Sequence, residues 1–179
     1  GALQADLGVD KFLVSAGAIG LDGLMHYYTS NAREAEKILL ATATQHLRKS
    51  ALTFPLLPYF ALADEQLLSH FGKQTATGIT LTASGFYGPQ GRVLRLPTRF
   101  NHQHIDALAT WQGPNNERIT NLEMETAGIY GLANALGHRA VSLNALLANR
   151  ATGAFSQDPK RTVESLISWG LEQIIASSV

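Results

Sequence analysis

Short runs of β-branched and small apolar residues recur along the sequence, separated by longer segments with helical spacing. Such runs, bounded by glycine, proline or polar residues, are typical of β-strands. They predict strands over residues 11–16, 74–84, 119–122 and 139–147. Residues 51–62, ALTFPLLPYFAL, are equally apolar but hold two prolines. Because proline cannot donate a ladder hydrogen bond, this stretch is predicted as an extended or edge segment.

Apolar residues with a period near 3.6 predict the helices. The segment after Asn31 keeps this period to about Arg48. Asn31 followed by Glu34 resembles a capping box, which would start this helix. Further helices are predicted over residues 64–70, 105–111, 124–136 and 160–176.

The order of these elements indicates the fold class. Strands and helices alternate, which predicts an α/β protein with a largely buried sheet. The length of 179 residues is typical of one domain, so residues 1–179 are predicted to form a single one. The sequence begins at Gly1 rather than at methionine and enters its first predicted strand almost at once. We therefore expect that an N-terminal part of the domain precedes it.

Composition argues against several functional classes. Fourteen Lys and Arg residues balance fourteen Asp and Glu residues, which leaves no basic footprint for nucleic acid or an anionic membrane. The absence of cysteine excludes disulfides, thiolate metal sites and a cysteine nucleophile. No apolar run reaches the length of a membrane span. We expect a cytoplasmic protein without nucleic-acid or membrane partners.

The segment GFYGPQGR, residues 85–92, combines turn-forming residues with side chains that suit a flat ring. Its three glycines and one proline allow a tight, well-defined loop. Gln90 can donate and accept hydrogen bonds at once, Arg92 offers a charged fork, and Phe86 could stack on a heterocycle. Equally, Gln90 and Arg92 could be exposed loop residues and Phe86 could belong to the core. Spacing alone leaves both interpretations open.

A second candidate site is NLEMETAGIYG, residues 121–131, where a predicted strand leads into a helix. Glu123 and Glu125 could stabilise the helix N-terminus, where carboxylates are favoured. Carboxylates at such a junction could instead accept hydrogen bonds from the vicinal hydroxyls of a sugar. The residues alone do not decide between these roles.

Two further groups of polar residues are candidates for binding, one in LLANR and one in FNHQH. The motif LLANR ends a predicted strand, and ligands of open α/β sheets collect at the C-terminal ends of strands, which favours Asn149 and Arg150. His102 and His104 have i,i+2 spacing but no nearby third donor. No metal site is therefore predicted from them.

Together, TASGFYGPQGR, NLEMETAGIYG and LLANR resemble the nucleoside phosphorylase family, and within it the uridine phosphorylases. The resemblance extends over nearly the whole chain, from GALQADLGVDKFLVSAGAIGLDG to the last helix. It implies one domain in which a central mixed β-sheet is flanked by helices. It also implies a pentosyltransferase that forms homo-oligomers, either dimers or trimers of dimers.

The resemblance implies base-binding roles for four residues. Phe86 would stack on uracil, while Gln90 and Arg92 would bond its O2, N3 and O4 edge. Arg150 would help to orient the base-reading arginine. The loop GFYGPQGR is therefore the implied base-recognition loop.

The resemblance also implies the sugar contacts and the reaction. Met124 and Glu125 match the pair that contacts the ribose hydroxyls, and Glu123, beside them, is predicted to bind the substrate as well. The implied reaction is reversible phosphorolysis, in which uridine and inorganic phosphate give uracil and ribose 1-phosphate. Arg92 would stabilise charge on the leaving uracil and Glu125 would favour the cationic ribose, which makes both predicted catalytic residues. The implied chemistry needs no metal or organic cofactor.

Alternatives remain within and outside the enzyme class. Purine-specific relatives place an aspartate where Asn149 stands, and it protonates the departing purine, which an amide cannot do. Asn149 therefore favours pyrimidines, with a purine nucleoside phosphorylase or nucleosidase as the alternative.

The family's phosphate-binding arginines and threonine lie in a region that precedes the part matched here. We expect the 179-residue chain alone to be inactive, and a catalytically silent nucleoside-binding domain is the other alternative.

Overall fold

A five-stranded sheet forms the centre of the protein in the computed structural model, which describes residues 1–29 and 31–177. Its strands, in chain order, are β1 (Phe12–Gly20), β2 (Tyr59–Leu62), β3 (Ala76–Thr82), β4 (Ile119–Glu123) and β5 (Ser142–Ala145). The helices around it are α1 (Glu34–Lys49), α2 (Glu65–Phe71), α3 (His102–Ala109), α4 (Thr126–Ala135) and α5 (Pro159–Ser177).

The sheet is mixed. Its main path is β2-β1-β3-β4, and β5 pairs with β1 off this path. β1, β3 and β4 run parallel, whereas β2 and β5 run antiparallel to β1. The prediction of an α/β domain with a mixed sheet flanked by helices is confirmed. The proline-containing stretch 51–62 leads into β2, which is an edge strand as predicted.

Helices cover both faces of the sheet. One face carries α1 and α3, whose apolar side chains pack against those of β1, β3 and β4 in the largest core cluster. The other face carries α4, whose Ala127 and Tyr130 pack against β1 and β2. Because both faces are covered, β1 is buried over almost its whole length. No helix within the described residues has the length and apolarity that a membrane span requires.

Helix starts differ from the sequence prediction. The cap proposed for α1 is wrong, because the helix begins at Glu34 itself. The buried carboxylate of Glu36 accepts the N–H of Arg33 at 2.7 Å and that of Leu62 at 2.9 Å. The helix start is therefore set by a contact with the edge of β2. α3 begins three residues before its predicted start, with Asn101 as its cap.

Candidate functional site

The loop that follows β3 is closed by its own backbone. The N–H groups of Gln90 and Arg92 both donate to the carbonyl of Tyr87, each at 3.0 Å. Gly91 has φ +74°, and a Cβ there would lie 2.9 Å from the Ile105 side chain. Only glycine suits that position. The tight turn brings Arg92 back over the start of the loop.

Arg92 lies on the ring of Phe86. Its Cζ is 3.9 Å from the ring centroid, and its Nη1 donates to the Phe86 carbonyl at 2.6 Å. Phe86 is 50% exposed and contacts Tyr87 edge-on, with the ring centroids 5.3 Å apart. Phe86 is therefore not a core residue. Its ring is a half-exposed surface, and the Arg92 guanidinium covers one of its two faces.

Gln90 is buried between two arginines. Its Oε1 accepts from Arg92 Nη1 at 2.6 Å and from Arg150 Nη2 at 3.1 Å, and its backbone carbonyl accepts from Arg150 Nη1 at 2.9 Å. These contacts use both lone pairs of Oε1. Within residues 1–29 and 31–177, the Gln90 amide nitrogen makes no hydrogen bond. The Gln90 side chain can therefore only donate a hydrogen bond to a ligand. The sequence analysis expected it both to donate and to accept.

The two guanidinium groups carry charge that the described part of the chain does not neutralise, because neither forms an ion pair there. Burial, and to a smaller extent the charge of Arg92, lower the pKa of Arg150 to about 10. Burial also lowers the pKa of Arg92. Both groups remain protonated at neutral pH. The positive potential around Gln90 therefore favours a ligand that carries or develops negative charge.

The turn between β4 and α4 carries two carboxylates. That of Glu123 is hydrogen-bonded within the protein, and that of Glu125 is exposed. Glu123 accepts the hydroxyl of Thr82 at 2.6 Å and the N–H groups of Glu125 and Thr126 at 2.8 Å each. It therefore stabilises the start of α4, as one of the two sequence interpretations proposed. Glu125 is exposed, and its carboxylate accepts the N–H of Met124 at 3.2 Å. Met124 is 41% exposed beside it.

The contacts that place Arg150 at the loop differ from those predicted from the sequence. β5 ends at Ala145 and runs antiparallel to β1, so Arg150 does not lie at the carboxyl end of a parallel strand. Its backbone N–H instead donates to the carbonyl of Ala2 at 2.8 Å. An isolated β-bridge between Ala2 and Asn149, rather than a position at the end of a parallel strand, therefore places Arg150 beside Gln90.

Asn149 is buried and bonded to the protein itself. Its Nδ2 donates to the carbonyls of Gln4 at 2.8 Å and Leu7 at 2.6 Å. Its Oδ1 accepts the N–H groups of Ala151 at 2.8 Å and Thr152 at 3.0 Å. The side chain is 2% exposed. Asn149 therefore has no capacity for a base, and the choice of pyrimidines over purines cannot rest on it.

The three motifs meet near the first residue. The Gly1 carbonyl accepts the N–H of Leu122 at 2.9 Å, next to Glu123 in β4, and the carbonyl of Ala2 accepts the N–H of Arg150 at 2.8 Å. Arg150 in turn bonds Gln90 in the loop that follows β3. The loop that follows β3, the β4–α4 turn and Arg150 therefore form one candidate site, while a cavity of about 570 Å³ between α1, β2 and α4 is lined by none of the predicted site residues.

Of the two histidines considered as metal ligands, His104 is held by contacts within the protein. His104 is buried, and its Nδ1 shares a hydrogen bond with Asn101 Oδ1 at 3.0 Å. Its ring lies 5.1 Å from that of Phe100. In the part of the chain that the structure describes, no group of three or more His, Asp or Glu side chains could hold a metal ion.

Comparisons with known proteins identify the family of the chain. The sequence profile of the phosphorylase superfamily matches residues 1–168. A uridine phosphorylase of Thermococcus kodakarensis is 29% identical over 153 residues, which cover 78% of this chain and 53% of that relative. A uridine phosphorylase of Haemophilus influenzae is 24% identical over 170 residues, or 94% of this chain and 59% of that relative.

A solved structure matches the fold. The nucleoside phosphorylase of Trypanosoma brucei, whose crystal structure is described as showing uridine phosphorylase activity, superposes with a TM-score of 0.81 at 22% identity. The match covers 98% of this chain and 61% of that protein. The present chain thus spans between half and two-thirds of the length of these relatives.

Proposed function

Because the chain belongs to the phosphorylase superfamily, we propose that it holds the base and ribose subsites of a uridine phosphorylase. The proposed reaction is reversible phosphorolysis of uridine to uracil and ribose 1-phosphate. The observation that carries it is the Gln90 amide held between the guanidinium groups of Arg92 and Arg150, which lack acidic partners among the described residues. The two relatives named uridine phosphorylase support the same substrate class.

In this proposal the base-recognition loop binds uracil and stabilises its departure. Uracil stacks on the face of Phe86 that Arg92 does not cover, and the free Gln90 amide donates to a carbonyl oxygen of the base. As the glycosidic bond breaks, negative charge spreads over the uracil carbonyls. Arg92 lies on the opposite face of Phe86, where it orients the Gln90 amide together with Arg150 and adds a fixed, partly desolvated positive charge close to the departing base. Preorganised charge of this kind lowers the barrier.

The β4–α4 turn supplies the proposed ribose subsite. The exposed carboxylate of Glu125 can accept hydrogen bonds from two vicinal hydroxyls, and the preceding residue, Met124, is 41% exposed. A carboxylate near the sugar also favours the positive charge that the ribose develops as phosphate approaches. Glu125 therefore acts on the sugar while Arg92 acts on the base.

The remaining parts of the proposal follow the family resemblance. Inorganic phosphate is the co-substrate, and the reaction uses no metal or organic cofactor. The protein acts as a homo-oligomer in the cytoplasm.

A panel of ligands tests the proposal. We expect calorimetric titration of the chain to give binding of uracil and uridine, and much weaker binding of hypoxanthine and inosine. Equal or tighter binding of the purines would favour a purine nucleoside phosphorylase or nucleosidase. Absence of binding by all four ligands would contradict a nucleoside site.

Arg92 and Arg150, which form no ion pair with the residues that the structure describes, predict that binding depends on the acidity of the ligand. A site that prefers the base anion releases a proton on binding the neutral base, so affinity should rise with pH by up to about tenfold per unit. The rise should stop when the base is ionised, or as the pH approaches 10, the pKa of Arg150. 5-Fluorouracil, a more acidic ring, should bind more tightly than uracil at pH 7. Equal affinities for the two bases, unchanged between pH 7 and pH 9, would contradict this prediction.

A further prediction concerns phosphate. The resemblance assigns the phosphate ligands to a region outside the matched motifs, and Arg92 and Arg150 are both engaged with Gln90. We therefore expect the 179-residue chain to bind uracil equally well with and without phosphate, and to release no uracil from uridine. Spectrophotometric assay of uridine cleavage checks this. Phosphate-dependent uracil release by the purified chain would contradict it.

A further inference from the structure

The carboxylate of Glu123 accepts four hydrogen bonds from its own chain. Oε1 accepts the hydroxyl of Thr82 at 2.6 Å. Oε2 accepts the N–H of Glu125 at 2.8 Å, the N–H of Thr126 at 2.8 Å and the Thr126 hydroxyl at 2.9 Å. An ionised carboxylate offers about two acceptor sites on each oxygen, so Oε2 is saturated and Oε1 keeps a single site beside the Thr82 hydroxyl, too few for a pair of vicinal sugar hydroxyls.

Thr82 connects three elements through one hydroxyl. It is the last residue of β3, is fully buried, and lies opposite Glu123 in the parallel ladder with β4. Its hydroxyl donates to Glu123 and accepts the N–H of Ala127, in the first turn of α4, at 2.9 Å. Next to it, the N–H of Ala83 donates to the Glu123 carbonyl at 2.9 Å. Thr82 therefore fixes both the rotamer of Glu123 and the start of α4.

These bonds determine where Glu125 lies. Its backbone N–H is one of the donors to Glu123, so the position of the Glu125 backbone follows that carboxylate. Its own side chain is exposed and accepts the N–H of Met124 at 3.2 Å, which leaves the carboxylate further acceptor capacity. The turn thus combines a fixed backbone with a carboxylate that is free to bind.

We propose that Glu123 and Thr82 are positioning residues of the ribose subsite, which present Glu125 to the sugar and contact no substrate themselves. The inference rests on the proposed function, because it takes Glu125 as the ligand of the ribose hydroxyls. It replaces the expectation that Glu123 contacts the sugar directly. In the sequence, Thr82 is one β-branched residue among several in a strand, and nothing marks it as part of the site.

The ratio of uridine to uracil affinity tests this inference. Thr82→Val keeps the size of the side chain but removes the hydroxyl, and Thr82→Ser keeps the hydroxyl. We expect Thr82→Val to reduce the advantage of uridine over uracil about tenfold, since a displaced carboxylate no longer meets the hydroxyls. Uracil affinity should not change, because uracil binds at the loop that holds Gln90. Thr82→Ser should retain the wild-type ratio.

A double-mutant cycle and amide exchange complete the test. If Thr82 acts through Glu125, Thr82→Val should cause no further loss in a Glu125→Gln background. The amides of Glu125 and Thr126 should exchange faster in Thr82→Val and at the wild-type rate in Thr82→Ser. A wild-type ratio or wild-type exchange in Thr82→Val, or additive losses in the double variant, would overturn the inference. A wild-type chain that does not prefer uridine to uracil would instead overturn the proposed ribose subsite, and the exchange rates would still test the positioning.

Discussion

Replacing Arg92 by Ala should weaken uracil binding by about tenfold to hundredfold, the range expected for loss of a charge-assisted hydrogen bond. The substitution removes the cation over Phe86 and one of the two donors that orient the Gln90 amide. Arg150 would remain on Gln90 and would hold its amide less firmly. Calorimetric titration of the variant with uracil gives the change directly.

Two further variants make the Arg92 experiment specific. Arg92→Lys keeps the charge but loses the planar fork that lies on Phe86 and donates to Gln90, so it should bind uracil nearly as weakly as Arg92→Ala. The control is Arg48→Ala, an exposed arginine of α1, which should bind like the wild type. Wild-type affinity for uracil in Arg92→Ala would contradict the assignment of Arg92 to the base.

Replacing Asn149 by Asp should lower the free energy of unfolding by roughly 3 kcal/mol without creating purine binding. The carboxylate cannot donate to the carbonyls of Gln4 and Leu7, and burial would place its charge against these two acceptors. The two N–H bonds from Ala151 and Thr152 would survive. Urea unfolding measures the stability.

The matched control for this variant is Asn31→Asp. Asn31 is exposed and precedes α1, where a carboxylate is tolerated, so its substitution should leave stability nearly unchanged. Titration with hypoxanthine checks specificity in both variants. An Asn149→Asp chain that is as stable as the wild type and binds hypoxanthine would restore Asn149 as the residue that selects the base.

Much of the fold follows from local sequence pattern. The strands, the edge position of β2 and the helices were predictable because periodicity and proline placement act over a few neighbouring residues. The start of α1 was not predictable, since Glu36 bonds the N–H of Leu62, 26 residues away. The orientation of β5 also depends on pairing with β1, which its own residues do not encode.

The candidate site was likewise predictable only in part. The residue types of the base-recognition loop suggest a flat ligand, and the family resemblance assigns them to uracil. The direction of the Gln90 amide depends on Arg150, 60 residues further along the chain, so spacing within the loop could not predict it. The engagement of Glu123 likewise depends on Thr82, 41 residues before it in a neighbouring strand. Side chains of a suitable type were visible in the sequence, but their use as ligands or supports depends on long-range contacts.

A crystal structure of the chain with uracil tests the central claim most directly. The account predicts a uracil ring stacked on Phe86, with one of its carbonyl oxygens about 3 Å from the Gln90 amide nitrogen. Uracil bound elsewhere, for example in the cavity of about 570 Å³ between α1, β2 and α4, with the base-recognition loop empty, would contradict it.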